Sequence, residues 1–226
     1  MGKGVIIALD GPVASGKGTL APLLAKKLDG FYLQTGAMYR ALALYSLRND
    51  LDTPEQVKNS LSDINIDLKG ESTFLNNEDI TTQLHNNDVS SRVPMVAAIP
   101  EVRNVLIREQ KRIGYDLREK GISVIAEGRD TGTVVFPDAD IKFFLDASVE
   151  IRAKRRHAQL QARGEVLSFD KVLDDTIKRD KSDMHQSGAL VSRPDQYGYV
   201  LIESTDLTQE TTLEKILDCM RQRGII

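Results

Sequence analysis

Leu9-Asp10-Gly11-Pro12-Val13-Ala14-Ser15-Gly16-Lys17-Gly18-Thr19 is the stretch that decides how this chain folds. It joins a short apolar run at 5–9 to a segment of helical spacing at 17–28. A strand that enters a glycine-rich loop and leaves as a helix surrounds one anion with backbone N–H groups and the positive end of the helix. Gly11, Gly16 and Gly18 let the backbone turn tightly and aim those donors inward. Lys17 then reaches the β- and γ-phosphates of a nucleoside triphosphate. The expected triphosphate cradle is thus Gly11, Pro12, Val13, Ala14, Ser15, Gly16, Lys17, Gly18 and Thr19.

Another meaning of this stretch fails on its surroundings. Gly16-Lys17-Gly18-Thr19-Leu20-Ala21 also fits the dinucleotide pattern G-x-G-x-x-A. That pattern needs a carboxylate about 20 residues further on to hold a ribose. The second apolar run ends in Leu33-Gln34-Thr35-Gly36, with no acid.

Outward from the loop, apolar runs at 5–9, 31–33, 122–126, 141–145 and 199–202 alternate with helical spacing near 17–28, 37–47, 101–119, 149–161, 169–181 and 211–223. Such alternation predicts an α/β fold of βαβ units around a parallel sheet. From about residue 61 to 91 the chain is instead polar and turn-rich, with period-2 stretches such as Ile64-Asn65-Ile66-Asp67-Leu68. Lys69-Gly70-Glu71 and Asn76-Asn77-Glu78 read as turns between short strands, which predicts a small antiparallel insertion.

The 226 residues fit one α/β domain with room for an insertion, at 41% hydrophobic and 28% charged residues. A net charge of −3 argues against a surface built for nucleic acid. The lone Cys219 forms no intramolecular disulfide and reads as a small core residue, which suits a reducing cytoplasm. No run is long enough to span a membrane and no signal-peptide pattern is visible, so the expected location is cytoplasmic.

Three further places carry candidate chemistry. Arg40 follows Thr35-Gly36-Ala37-Met38-Tyr39, near the carboxyl ends of the strands where such sheets bind ligands, and a guanidinium there grips phosphate with a two-pronged fork. Arg129 and Asp130 emerge where the run at 122–126 ends, between Gly128 and Gly132, which are expected to keep the backbone open to a ligand. Arg152, Lys154, Arg155, Arg156 and Arg163 form a basic cluster, with Arg152, Arg155 and Arg156 spaced to share one helix face.

Taken in order, the loop ending GKGT, Thr35–Arg40, Pro100-Glu101-Val102-Arg103 and Glu127–Asp138 resemble the bacterial cytidylate kinases, a family of phosphate-loop nucleoside monophosphate kinases. The likeness runs from about residue 6 to 183 and includes Leu75-Asn76-Asn77-Glu78-Asp79-Ile80-Thr81. It implies a five-stranded parallel sheet flanked by helices. The core would take residues 1–60, 96–151 and 166–226, a monophosphate-binding insertion 61–95 and a short lid 152–165. It implies ATP as donor, with Mg²⁺ held mainly through ATP and water, CMP or dCMP as acceptor, and a monomer. Arg40 and Arg129 would bind the acceptor phosphate beside Thr35; Arg103 and Asp130 would face the base; Arg179 and Asp183 would reach sugar and phosphate. Lys17, Arg129 and one of Arg155 or Arg156 in the lid would stabilise charge on the moving phosphoryl group.

The sequence departs from the family pattern at two base-side positions, where Gln186 stands for a second base-contacting Arg and Pro94 for a Ser. The pair at Ala189-Leu190 is altered as well, and Arg193 is the guanidinium that could compensate. These changes keep open another small monophosphate, such as UMP, as acceptor. A phosphate-loop switch without a small acceptor is the reading from another class, but its guanine-reading N/T-K-x-D motif is absent. The acceptor's own phosphate, with a second pKa of about 6, needs no strong base, and His85, His157 and His185 show no metal-ligand spacing. For Asp10 two roles stand side by side, orienting magnesium's water shell or capping backbone in the interior.

Overall fold

The computed structural model describes residues 3–185, 190–191 and 193–226, with backbone only at residue 185. Its central strand is β1 (Ile6–Asp10), all five residues buried. β6 (Val124–Glu127) and β7 (Ile141–Asp146) flank it, with β2 (Phe31–Gln34) and β8 (Val200–Glu203) at the edges. All four pairings are parallel, in the order β2-β6-β1-β7-β8. Each strand lies within a residue or two of its apolar run, because a parallel strand covered on both faces must be apolar almost throughout.

Successive side chains on a strand point to opposite faces, and the core divides accordingly. Ile7, Leu9 and Ile125 pack with Leu20, Leu24, Ile216 and Met220 of helices α1 (Lys17–Lys27) and α8 (Gln209–Gln222). Cys219 joins that cluster partly buried. Ile6, Val124 and Ala126 face the other way, with Phe136 and the α5 helix (Pro100–Glu119).

A second antiparallel sheet of β3 (Ile66–Lys69), β4 (Ser72–Leu75) and β5 (Glu78–Asp79) forms where period-2 patterning predicts it. Asn76 and Asn77, both at positive φ, make the β4–β5 turn. Two helices here escape the sequence reading. α3 (Pro54–Asn59) opens on a capping box, Thr53 accepting from Gln56. α4 (Asn87–Ala97) contains Pro94, which reads as a helix breaker. Eight residues into α4, Pro94 is held by Val89, Val93 and Val96, which bury one face against α2 (Thr35–Arg48) and α5. α6 (Val149–Ala162) and α7 (Phe169–His185) complete the layer beside β7. Among the described residues no helix is long and apolar enough to cross a membrane.

Candidate active site

At the carboxyl end of β1 the chain has almost no room. A Cβ on Gly11 would sit 2.0 Å from the Leu145 carbonyl oxygen, and φ there is 147°. Gly16 caps α1 in a left-handed conformation, φ 105°, which glycine adopts without the clash an L side chain meets. Between them Ala14, a residue with a side chain, also has positive φ, 58°. At Gly18 a side chain would meet open space, on the cavity side of the helix start.

Lys17 is 3% exposed. Its Nζ donates to the Pro12 carbonyl at 2.7 Å and to Ser15 Oγ at 3.1 Å, so the ammonium is folded onto its own loop. Burial first, and the Arg129 charge second, lower its pKa to about 7.

The loop borders a cavity of about 630 Å³. Gly16, Lys17, Gly18 and Thr19 line it together with Arg40, Arg129, Arg156, Arg163 and Arg179. Arg40 extends from the second turn of α2, donating to the Leu84 carbonyl and Ser90 Oγ, both at 2.9 Å. Burial and then the guanidinium groups of Arg179, Arg156, Arg129 and Arg163 bring its pKa down to about 10. Asp183 bridges two of these cations, Oδ2 lying 2.9 Å from Arg129 Nε and Oδ1 3.4 Å from Arg179 Nε. Arg103 and Asp130 pair with each other at 2.7 Å, half-buried on the same cavity wall. Desolvation raises the Asp130 pKa. Thr35 donates to the Glu127 carbonyl at 2.8 Å, which ties α2 to the end of β6. A cavity that brings a glycine-rich helix start and a cluster of guanidinium groups together suits anionic ligands.

The cytidylate kinase family model matches residues 7–222. This chain belongs to that family. It is 40% identical over 220 residues to the cytidylate kinase of Caldanaerobacter subterraneus subsp. tengcongensis, covering 96% of this chain and 95% of the relative. The cytidylate kinase of Thermosipho melanesiensis is 38% identical over 217 residues, with 96% and 97% covered. Among solved structures, an uncharacterized protein from Eubacterium ventriosum ATCC 27560 shares the fold at TM-score 0.55 and 16% identity, with 97% and 99% covered.

Against the cytidylate kinase pattern, the structure brings Lys17, Thr35, Arg40, Arg103, Arg129, Asp130, Arg156, Arg179 and Asp183 onto one cavity. Arg155 is a correction. Its guanidinium turns away from the cavity and donates to the Ser204 carbonyl at 2.6 Å, Ser204 Oγ at 3.1 Å and the Ser15 carbonyl at 3.4 Å. Successive helix residues diverge by about 100°, so residues 155 and 156 lie on opposite flanks of what reads as one basic face. Arg152 turns to the loop as well.

Gly132 is a second correction. A Cβ there would meet the Tyr199 hydroxyl at 2.6 Å, so it admits the protein's own side chain where sequence reasoning expects a ligand. Gly128 does line the cavity, and a Cβ on it would also meet Thr35 Oγ1 and Thr131 Cγ2, each at 2.7 Å.

Asp10 is settled by its partners. Wholly buried, its carboxylate accepts from Thr131 N–H, Thr131 Oγ1, Gly132 N–H and the Tyr199 hydroxyl, at 3.0, 2.9, 2.8 and 2.6 Å. It caps the π-helical turn at Thr131–Val135 that follows Asp130. Desolvation raises its pKa against those four bonds.

On the base side, Pro94 lines a small recess of about 40 Å³ with Arg179 and Asp183. Arg193 is exposed and pairs with Asp195 at 3.5 Å, away from the cavity. Gln186 and Ala189 lie outside the described residues. Sequence reasoning misses Tyr39 and His85 on the cavity wall. Burial and then the Arg40, Arg163 and Arg156 charges lower the His85 pKa, so its imidazole is neutral at pH 7.

Proposed function

We propose that this protein transfers the γ-phosphoryl group of ATP to CMP or dCMP, giving ADP and the cytidine diphosphate. The carrying observation is the cavity that the phosphate-loop residues Gly16, Lys17, Gly18 and Thr19 line together with Arg40, Arg129, Arg156, Arg163 and Arg179. A polyanionic triphosphate and a dianionic acceptor phosphate brought into line repel each other, so the work of such a site is positioning and neutralisation. Loop N–H groups and Lys17 hold the donor, with Lys17 released from Pro12 and Ser15 once phosphate oxygens replace them. Arg40, Arg129 and Arg179 hold the acceptor phosphate beside Thr35, with Asp183 aligning two of the guanidinium groups. Arg103 and Asp130 face the base, and Arg156 meets charge developing on the moving group. The attacking oxygen is already ionised at neutral pH.

Magnesium fits as an ion bound through phosphates and water. Asp10 is committed to four protein donors, and Thr19, on the cavity wall, is the hydroxyl that would face the ion's water shell. When bound, the ion would supply neutralisation of negative charge on the donor's phosphates.

The insertion at 61–95 and the lid at 152–165 close over the pair and exclude water. Asn87 of α4 supports this, since its Nδ2 donates to Glu165 Oε2 at 2.9 Å and so joins the helix after the insertion's sheet to the turn after α6.

ADP release measured in parallel with CMP, dCMP, UMP and AMP tests the reading. CMP or dCMP is expected to accelerate release well above ATP alone. If none does, the function is wrong. If UMP or AMP outruns CMP, only the acceptor is wrong, and Pro94 beside Asp183 is where the difference would lie.

A further inference from the structure

A phosphate cradle works only if its peptide planes are turned so that N–H groups face the anion and carbonyls face away. In a trans peptide the two point in opposite directions, and no bond among the described residues is cis. Whatever grips a carbonyl on the outer side of the loop therefore aims the next residue's N–H inward. At the crest of this loop that grip comes from Arg152, a residue that lies outside the cavity.

Arg152 is 6% exposed, and each of its three guanidinium nitrogens has a different partner. Nε donates to the Ala147 carbonyl at 2.9 Å, just past β7. Nη1 donates to the Val13 carbonyl at 3.2 Å, and Nη2 pairs with Asp180 Oδ2 of α7 at 2.7 Å. Turning the Val13 carbonyl outward directs the Ala14 N–H into the cradle. The next residue carries the cost, since Ala14 sits at φ 58°, a conformation alanine disfavours. Left alone, the Val13–Ala14 unit would relax toward negative φ and swing its dipole.

We propose that Arg152, held by Asp180, is a positioning residue for phosphoryl transfer that locks the Val13–Ala14 peptide with its N–H facing the donor phosphates. The proposal rests on the kinase reading above. Asp180 also connects the lock to the acceptor side, since α7 carries Arg179 and Asp183 on the adjoining cavity wall. The two devices share a helix but not their side chains, since Arg152 is held by Asp180 while Arg179 and Asp183 line the cavity.

The test compares Arg152→Lys and Asp180→Asn with the unmodified protein, each with and without Ala14→Gly, by steady-state kinetics and thermal melting. A lysine keeps the charge, but one ammonium does not span three acceptors in the guanidinium's fixed directions. R152K is expected to raise the KM for ATP about tenfold while the KM for CMP stays within about twofold. D180N should show the same pattern at smaller amplitude, without removing any volume.

Glycine at position 14 takes positive φ at no steric cost. A14G in the R152K background should therefore bring the ATP KM back to within about threefold of the unmodified value. A purely structural role predicts otherwise: melting falls, both KM values rise together, and glycine rescues nothing. That result overturns the proposal, as does an ATP KM unmoved in both R152K and D180N. If the unmodified protein transfers no phosphoryl group to any monophosphate, the kinase reading falls and takes the lock with it.

Discussion

At the scale of single residues, Lys17 is the group whose charge state is most at stake. This buried ammonium bonds to a carbonyl and a hydroxyl and has no carboxylate within ion-pair distance among the described residues, and its pKa is about 7 in place of the usual 10.5. Because the folded pKa is depressed, the free protein's Lys17 loses its proton as pH rises through about 7, whereas the unfolded chain keeps it until about 10.5. Stability from this group therefore rises with pH across that window. Donor phosphates reverse the balance by supplying the missing anion. At pH 8, binding a non-hydrolysable ATP analogue should take up a proton, a substantial fraction of one per site. Calorimetry in buffers of different ionisation enthalpy reads this directly. Heats that do not depend on the buffer would show that Lys17 is already charged in the free protein. Affinity should weaken as pH climbs from 7 to 9. K17M should abolish both the uptake and turnover.

The elements show how far the sequence could be read. Five parallel strands and the antiparallel insertion were legible because burial on two faces, or on one, leaves a plain pattern. The cavity's main cations were legible too, since Arg40 and Arg129 follow strand ends. Side-chain direction within the basic helix was not. Residues 152, 155 and 156 form one stripe by spacing, yet their partners are set by Val13, Ser204 and the cavity, which come from distant parts of the chain. α4 was hidden by Pro94, and Asp10's role by a π-helical turn that only its partners reveal. A related contact sets a prediction for α5. The glycine at 114 lets the Phe136 ring pack against the helix, and a Cβ there would fall 2.4 Å from Phe136 Cζ. G114A gains helix propensity of ~1 kcal/mol but overpacks a site that costs typically ~1–3 kcal/mol. Phe136 is wholly buried and has nowhere to move, so a net loss of about 1 kcal/mol is expected in urea unfolding. An unchanged or higher midpoint would mean the ring shifts freely. Because Phe136 ends the turn that begins after Asp130, the KM for CMP should rise as well.

For the whole molecule, the site is a cost that the rest of the fold carries. A chain of net charge −3 gathers Arg40, Arg129, Arg156, Arg163 and Arg179 around one cavity, with Asp183 shared by two of them. Burial lowers the pKa of both Arg40 and Arg156, and the neighbouring guanidinium groups lower them further. The free protein therefore holds like charges together and should be more stable without one of them. Arg156 is the one to remove, since it is partly exposed and has no carboxylate within ion-pair distance among the described residues. R156Q should raise the melting temperature of the free protein at low salt by about 1–2 °C, on the order of 0.5 kcal/mol after solvent screening. The same change should lower kcat by tenfold or more, because the charge absent from the cavity is one that the transition state needs. Salt separates this account from a packing effect. At 0.5 M salt, where exposed charges are screened within a few ångströms, the gain in melting temperature should vanish while the loss in kcat persists. A variant that melts lower than the parent at both salt concentrations would show that Arg156 supports the fold, and that crowding of cations is not what the free protein endures for its activity.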